Sequence, residues 1–150
     1  MGLKLLMNIV ILCIGNIDGG DDAVGPYIAE KLKNNFTVIN AGTVPENYTS
    51  IIKKHNPQKL IIIDAVDMNL DHGEIRIVPK EKIGKMTIST HGIPISVLIG
   101  YLEQYVDNIS IIGIQTKVMS GKISEIVKKS ADNLVKIIHD NKIDTIEKLI

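Results

Sequence analysis

Ile9 to Ile14, IVILCI, is an unbroken apolar run that stops at Gly15-Asn16. A strand with no polar face must be covered on both sides, which is the condition of a parallel sheet layered between helices. Leu60 to Ile63 repeats the signal and ends in Asp64, and Ile109 to Ile114 repeats it again. Between these runs the period changes. Val24, Ile28 and Leu32 fall at helical spacing, with Asp21 or Asp22 where an N-cap or first-turn acid belongs and Pro26 tolerable near the helix start. Thr37 to Asn40 reads as a short strand closed by Ala41-Gly42, and a helix from about Asn47 to Lys54 is stopped by Asn56-Pro57. Glu74 to Val78 alternates polar and apolar residues, as a half-exposed edge strand does. Helical patterns then begin near Pro94 and run from about Ile123 to His139. Strand and helix alternate throughout. The expected fold is α/β and three-layered, a mostly parallel, twisted sheet of five strands with helices on both faces and right-handed crossovers. Residues 1–150 are expected to form a single domain.

Composition narrows the function classes. With 17 basic and 17 acidic residues the net charge is zero, so the surplus of positive charge that duplex binding requires is missing. Aromatic residues are 3% of the chain, which leaves few platforms for stacking single-stranded bases. One cysteine, Cys13, excludes an internal disulfide framework and a multi-cysteine zinc site; inside an apolar strand it reads as a small core residue. Met1 to Met7 reads as a lead-in to the first strand, without the cleavage site of a signal peptide. No apolar run approaches the roughly 20 residues that span a bilayer. The expectation is a cytoplasmic monomer that engages neither nucleic acid nor the membrane interior.

In open α/β sheets ligands bind beyond the carboxyl ends of strands, where the strand order reverses. The polar residues that follow each buried strand are therefore the informative ones. After the first comes G-N-I-D-G-G-D-D, after the second G-T-V-P-E-N, after the third Asp64-Ala65-Val66-Asp67, and before the next helix Thr90-His91. Carboxylates and one imidazole from distant segments thus converge on one edge. Two carboxylates and a histidine make an O,O,N donor set suited to nickel or zinc. Plainer roles stand beside this one: Asp22 as a helix cap, Asp64 as a turn former, His91 as a backbone hydrogen-bonding residue. Asp18 and Asp71 read as solvated loop acids, and His55, His72 and His139 as surface histidines.

Read together, L-C-I-G-N-I-D-G-G-D-D-A-V-G-P (Leu12 to Pro26), A-G-T-V-P-E-N (Ala41 to Asn47), D-A-V-D-M-N-L-D-H-G-E-I-R-I (Asp64 to Ile77), S-T-H-G-I-P-I-S-V-L (Ser89 to Leu98) and G-I-Q (Gly113 to Gln115) resemble the nickel–iron hydrogenase maturation endopeptidases, especially the branch serving hydrogenase-3-type large subunits. The resemblance spans about Asn8 to Gln115. It implies an endopeptidase that removes a C-terminal extension from the hydrogenase large-subunit precursor after nickel insertion, with the nickel of the precursor as the recognition element. It also implies that Asp22, Asp64 and His91 are the catalytic and metal-binding residues, able to hold nickel or another divalent ion. Asp21 is implied as a supporting acid and Gly15-Asn16 as the turn that lets the loop approach the substrate. The chain departs from the family pattern at Asp18, Ala23 and Asn40, none of them a proposed ligand. A nickel-binding maturation chaperone without peptidase activity is one alternative. A phosphoacceptor receiver domain is a weaker one, because Asp21-Asp22 follow the first strand only after a six-residue loop and no proline follows Lys117.

Overall fold

Residues 7–85, 87–88 and 93–150 are described by the computed structural model. The segment Ser89 to Gly92, which includes His91, lies outside the described residues, as does the lead-in before Met7. In chain order the strands are β1 (Ile9–Ile14), β2 (Thr37–Gly42), β3 (Lys59–Asp67), β4 (Ile75–Val78), β5 (Thr87–Ile88) and β6 (Asn108–Gln115). The helices are α1 (Val24–Leu32), α2 (Thr49–His55), α3 (Ile95–Leu102) and α4 (Glu125–His139).

The strands lie in the order β2-β1-β3-β6-β4, with β5 added to β3. Pairings among β2, β1, β3 and β6 are parallel, and β4 joins β6 antiparallel. The expected five strands are therefore present. β5, two residues long and antiparallel to β3, is a sixth that the sequence reading did not contain. The chain steps from β1 outward to β2 and then returns to the other side of β1 for β3, so the order reverses between β1 and β3.

Side-chain alternation divides the core. Val10, Leu12 and Ile14 of β1, with Leu60, Ile62 and Val66 of β3, pack under α2 and α3. Ile11 and Cys13, with Ile61 and Ile63, pack under α1 and α4. The three-layer arrangement follows directly from the double-sided apolar runs. The outer edge of β4 is covered by the C-terminal segment: the Ile77 N–H donates to the Glu147 carbonyl at 2.9 Å and the Leu149 N–H to the Ile77 carbonyl at 2.9 Å, which removes an open edge.

Element ends differ from the sequence reading in informative ways. The third strand does not end in Asp64 but runs to Asp67, because β6 pairs with it as far as Val66 and β5 pairs with Val66 and Asp67. Pairing with β1 reaches only Ile63, and β5 fills the side of β3 that β1 leaves vacant. Pro45–Tyr48 forms a 3-10 turn, so α2 begins at Thr49, and the last helix begins at Glu125. Neither Asp21 nor Asp22 caps a helix: both lie within a 3-10 turn, Gly20–Ala23, and no side chain caps α1.

Candidate active site at the carboxyl edge of the sheet

Two glycines bring the acidic loop back onto β1. A Cβ on Gly25 would lie 2.0 Å from the Ile14 carbonyl oxygen, and one on Gly15 would lie 2.0 Å from that of Asp22. Only hydrogen fits at either place. The first turn of α1 therefore seats on the end of β1, and Asp22 is delivered to the point where the strand order reverses. Gly15 also ties this end to β2 through its N–H, 2.8 Å from the Gly42 carbonyl.

Asp22 is 3% exposed, and its Oδ2 accepts the Asn16 N–H at 2.9 Å. Asp64 is 1% exposed and stands on β3 just past the last residue paired with β1. Its Oδ1 accepts the N–H of Ala65 at 2.8 Å, whereas its Oδ2 is buried without a hydrogen-bond partner among the described residues. Burial pushes the Asp64 carboxyl well above the ordinary carboxylate range, and the nearby Asp22 carboxylate pushes it further. A buried acid beside a second one, with one oxygen lacking a hydrogen-bond partner among the described residues, is of the kind that a bound cation or a transferable proton would complete. Among the described residues, no three His, Cys, Asp or Glu side chains gather as a metal site; the two acids supply two donors. His91 lies outside the described residues. β5 runs from the level of Asp67 to that of Val66, in the direction of Asp64, and ends three residues before His91.

Asp21 is fully buried and does different work. Its Oδ2 accepts the N–H groups of Lys117 and Val118 at 2.7 and 2.8 Å and the Ser124 hydroxyl at 3.0 Å, while Oδ1 accepts the Ser124 N–H at 2.7 Å. Burial alone would raise its pKa; the three N–H groups and the hydroxyl outweigh that and hold it below the ordinary range. Asp21 thus clamps the loop after β1 to the loop after β6. Gln115 organises the neighbouring turn: its Oε1 accepts the N–H groups of Met68 at 2.6 Å and Leu70 at 3.2 Å, and its Nε2 donates to Asp67 Oδ1 at 3.1 Å. The sequence reading assigned Gln115 no role, and a lone amide at the end of an apolar strand was the available signal. Glu46 was likewise given none, yet its Oε1 is buried without a hydrogen-bond partner among the described residues. Cys13 is core, as expected, and burial, with the Asp64 charge, pushes its thiol up to about 12. Asp18 is exposed, as is Asn40 on β2.

An open α/β sheet with two buried acids side by side at its switch point has its candidate active site at that edge. Comparison with known proteins makes this specific. The family description "HycI: Hydrogenase maturation protease" matches residues 26–141. The hydrogenase 3 maturation protease of Escherichia coli K12 is 40% identical over 118 residues, 75% of this chain and 76% of that protein. The solution structure of the E. coli endopeptidase HycI superposes with a TM-score of 0.86 at 30% identity, covering 96% of this chain and 97% of that one. A nickel–iron hydrogenase maturation protease from Thermococcus kodakarensis superposes with a TM-score of 0.78 at 32% identity, covering 91% and 92%. The chain belongs to the hydrogenase maturation protease family and is a peptidase. Among the described residues no helix is long and apolar enough to cross a membrane.

Proposed function

We propose that this chain is the endopeptidase that removes the C-terminal extension of a nickel–iron hydrogenase large-subunit precursor once nickel has been inserted, and that Asp22, Asp64 and His91 are the residues that do it. The observation that carries the assignment is Asp64: a carboxyl buried at the sheet's switch point, with one oxygen unmatched and its ionised form disfavoured by burial and by Asp22. A carboxylate whose proton affinity is raised in this way is a stronger base than an ordinary aspartate. The donor set fits a divalent ion, since hard carboxylate oxygens with one imidazole suit nickel or zinc. When bound there, such an ion supplies Lewis-acid polarisation of the scissile carbonyl and a more acidic attacking water.

The chain's own residues carry the remaining steps. Asn16, through its N–H, orients the Asp22 carboxylate at the end of β1. Ala65 fixes one oxygen of Asp64 through its N–H, and the other has no hydrogen-bond partner among the described residues. Asp64 takes the proton of the attacking water and returns it to the leaving amide nitrogen. Nickel belongs to the substrate in this scheme: three protein donors hold a free ion weakly and leave positions open for the precursor's own ligands. Residues 1–150 act as one domain, as a monomer in the cytoplasm.

The test is a cleavage assay on the cognate precursor, with and without inserted nickel, comparing wild type with Asp64→Asn and His91→Ala. Only the nickel-loaded precursor should be shortened, and both variants should be inert while keeping the wild-type circular dichroism. Wild-type chain that binds the loaded precursor without shortening it would return the protein to a nickel-binding chaperone role. Full activity of the His91→Ala variant would remove His91 from the site.

A further inference from the structure

Among the described residues, two buried side-chain oxygens lack a hydrogen-bond partner: Oδ2 of Asp64 and Oε1 of Glu46. Asp64 is the acid of the proposed chemistry, whereas Glu46 takes no part in it. Glu46 lies in the 3-10 turn Pro45–Tyr48 that follows β2. Its main-chain carbonyl accepts the Thr49 hydroxyl at 3.4 Å, a contact open to any residue at this position. No hydrogen bond or ion pair with another described residue engages its carboxylate. The side chain therefore does not hold the turn together, and a buried oxygen without a donor costs the folded chain free energy. An acceptor in that state calls for a donor from outside the fold.

Strand register places this turn relative to Asp64. Ile14 of β1 pairs with Gly42 of β2, and Cys13 pairs with Ile63 of β3, so Gly42, Ile14 and Asp64 stand at nearly one level across three neighbouring strands. The Val44 N–H donates to the Ala41 carbonyl at 3.3 Å and the Asn47 N–H to the Val44 carbonyl at 3.0 Å, which keeps the turn at the end of β2. Tyr48, its last residue, packs against the cluster that contains Leu60, Ile62 and Val66. Alternation along β3 puts Asp64 on that same side of the sheet. Two strand spacings, about 10 Å, separate Gly42 from Asp64, the length of about three residues of extended chain. A Cβ on Gly42 would meet no described atom within 4 Å, so space is open beside the end of β2. An extended polypeptide crossing this edge brings one N–H donor with each residue other than proline.

From the unmatched oxygen and its place at the carboxyl edge, we infer that Glu46 positions the substrate: its buried Oε1 accepts a main-chain N–H of the precursor, about three residues from the bond that is cut. This inference rests on the peptidase reading above. It makes substrate affinity separable from chemistry, with Glu46 holding the chain and Asp64 moving the proton.

The experiment is steady-state cleavage of purified nickel-loaded precursor by wild type, Glu46→Ala and Glu46→Gln, with the Tm of each protein measured with and without nickel ion. KM of Glu46→Ala is expected to rise at least tenfold with kcat within twofold of wild type. Glu46→Gln should stay within threefold of the wild-type KM, because its amide oxygen can accept the same N–H. Its Tm should not fall, since no contact within the chain is removed. Unchanged KM in Glu46→Ala, with wild type cutting normally, would leave the oxygen to solvent and overturn the inference while the peptidase reading stands. Glu46→Gln as poor in KM as Glu46→Ala would assign the oxygen to a charged side chain of the substrate and overturn the main-chain contact. Loss of kcat in both variants, together with loss of a nickel-induced rise in Tm that wild type shows, would make Glu46 an ion donor and overturn it as well. Wild type that fails to cut would sink both readings.

Discussion

Replacing Asp21 should damage stability far more than its single position in a loop suggests. Its carboxylate accepts three backbone N–H groups and one hydroxyl, all from the segment Lys117 to Ser124. Asp21→Ala leaves the three N–H groups without their acceptor; the Ser124 hydroxyl can rotate to another. An unmatched buried donor costs about 1–3 kcal/mol. Because these groups are only partly buried, the low end applies, for a total of about 3 kcal/mol. Asp21→Asn can keep its oxygen where Oδ2 now accepts three donors, and then faces only the Ser124 N–H with an amide NH2, a loss of about 1–2 kcal/mol. In a domain of this size 1 kcal/mol moves Tm by about 2–4 °C, so the alanine variant should melt roughly 6–12 °C lower. The pH dependence gives a second reading. A native carboxyl held below its unfolded value of about 3.9 contributes stability above that value, and the contribution is lost as pH falls through the native pKa. The gap between wild type and Asp21→Asn should therefore be widest above about pH 5 and close below about pH 4. Urea denaturation followed by circular dichroism at several pH values measures both effects. An alanine variant within about 0.5 kcal/mol of wild type at neutral pH would refute the clamp.

Asp64→Asn should have the opposite sign. The native carboxyl has a raised pKa, so wild type loses stability as pH rises from the unfolded value toward the native one, and the asparagine variant does not. The variant should be at least as stable as wild type at pH 8 while inactive in processing; urea titrations at pH 5 and pH 8 check the first point. A divalent ion that raises the Tm of wild type should raise that of Asp64→Asn much less. Gly25→Ala places a Cβ against the Ile14 carbonyl oxygen and should cost about 1–3 kcal/mol by thermal melting, despite alanine's better helix propensity. Gln115→Ala leaves the Met68 and Leu70 N–H groups without their acceptor and should cost about 2 kcal/mol, with amide exchange at Met68 accelerated.

The two-sided apolar runs at Ile9 to Ile14 and Leu60 to Ile63 were enough to predict the layered sheet, because a period of two and its absence are local properties of the chain. The same holds for Cys13 as core and Asp18 as a solvated acid. The adjacent pair Asp21-Asp22 shows where local reading stops. Nothing in D-D distinguishes the acid that faces Asp64 from the one that clamps the fold, since the partners of Asp21 lie 96, 97 and 103 residues downstream. The end of β3 was also decided at a distance: Asp64 lies within a strand because β6 and β5 pair with the residues around it. Helical spacing in α3 was legible at Val97, Leu98 and Leu102, but which apolar face would be left in water was not, because the pattern is apolar all round. Only the sheet beneath it could choose the buried side, and that choice leaves Val97, Gly100 and Tyr101 facing outward.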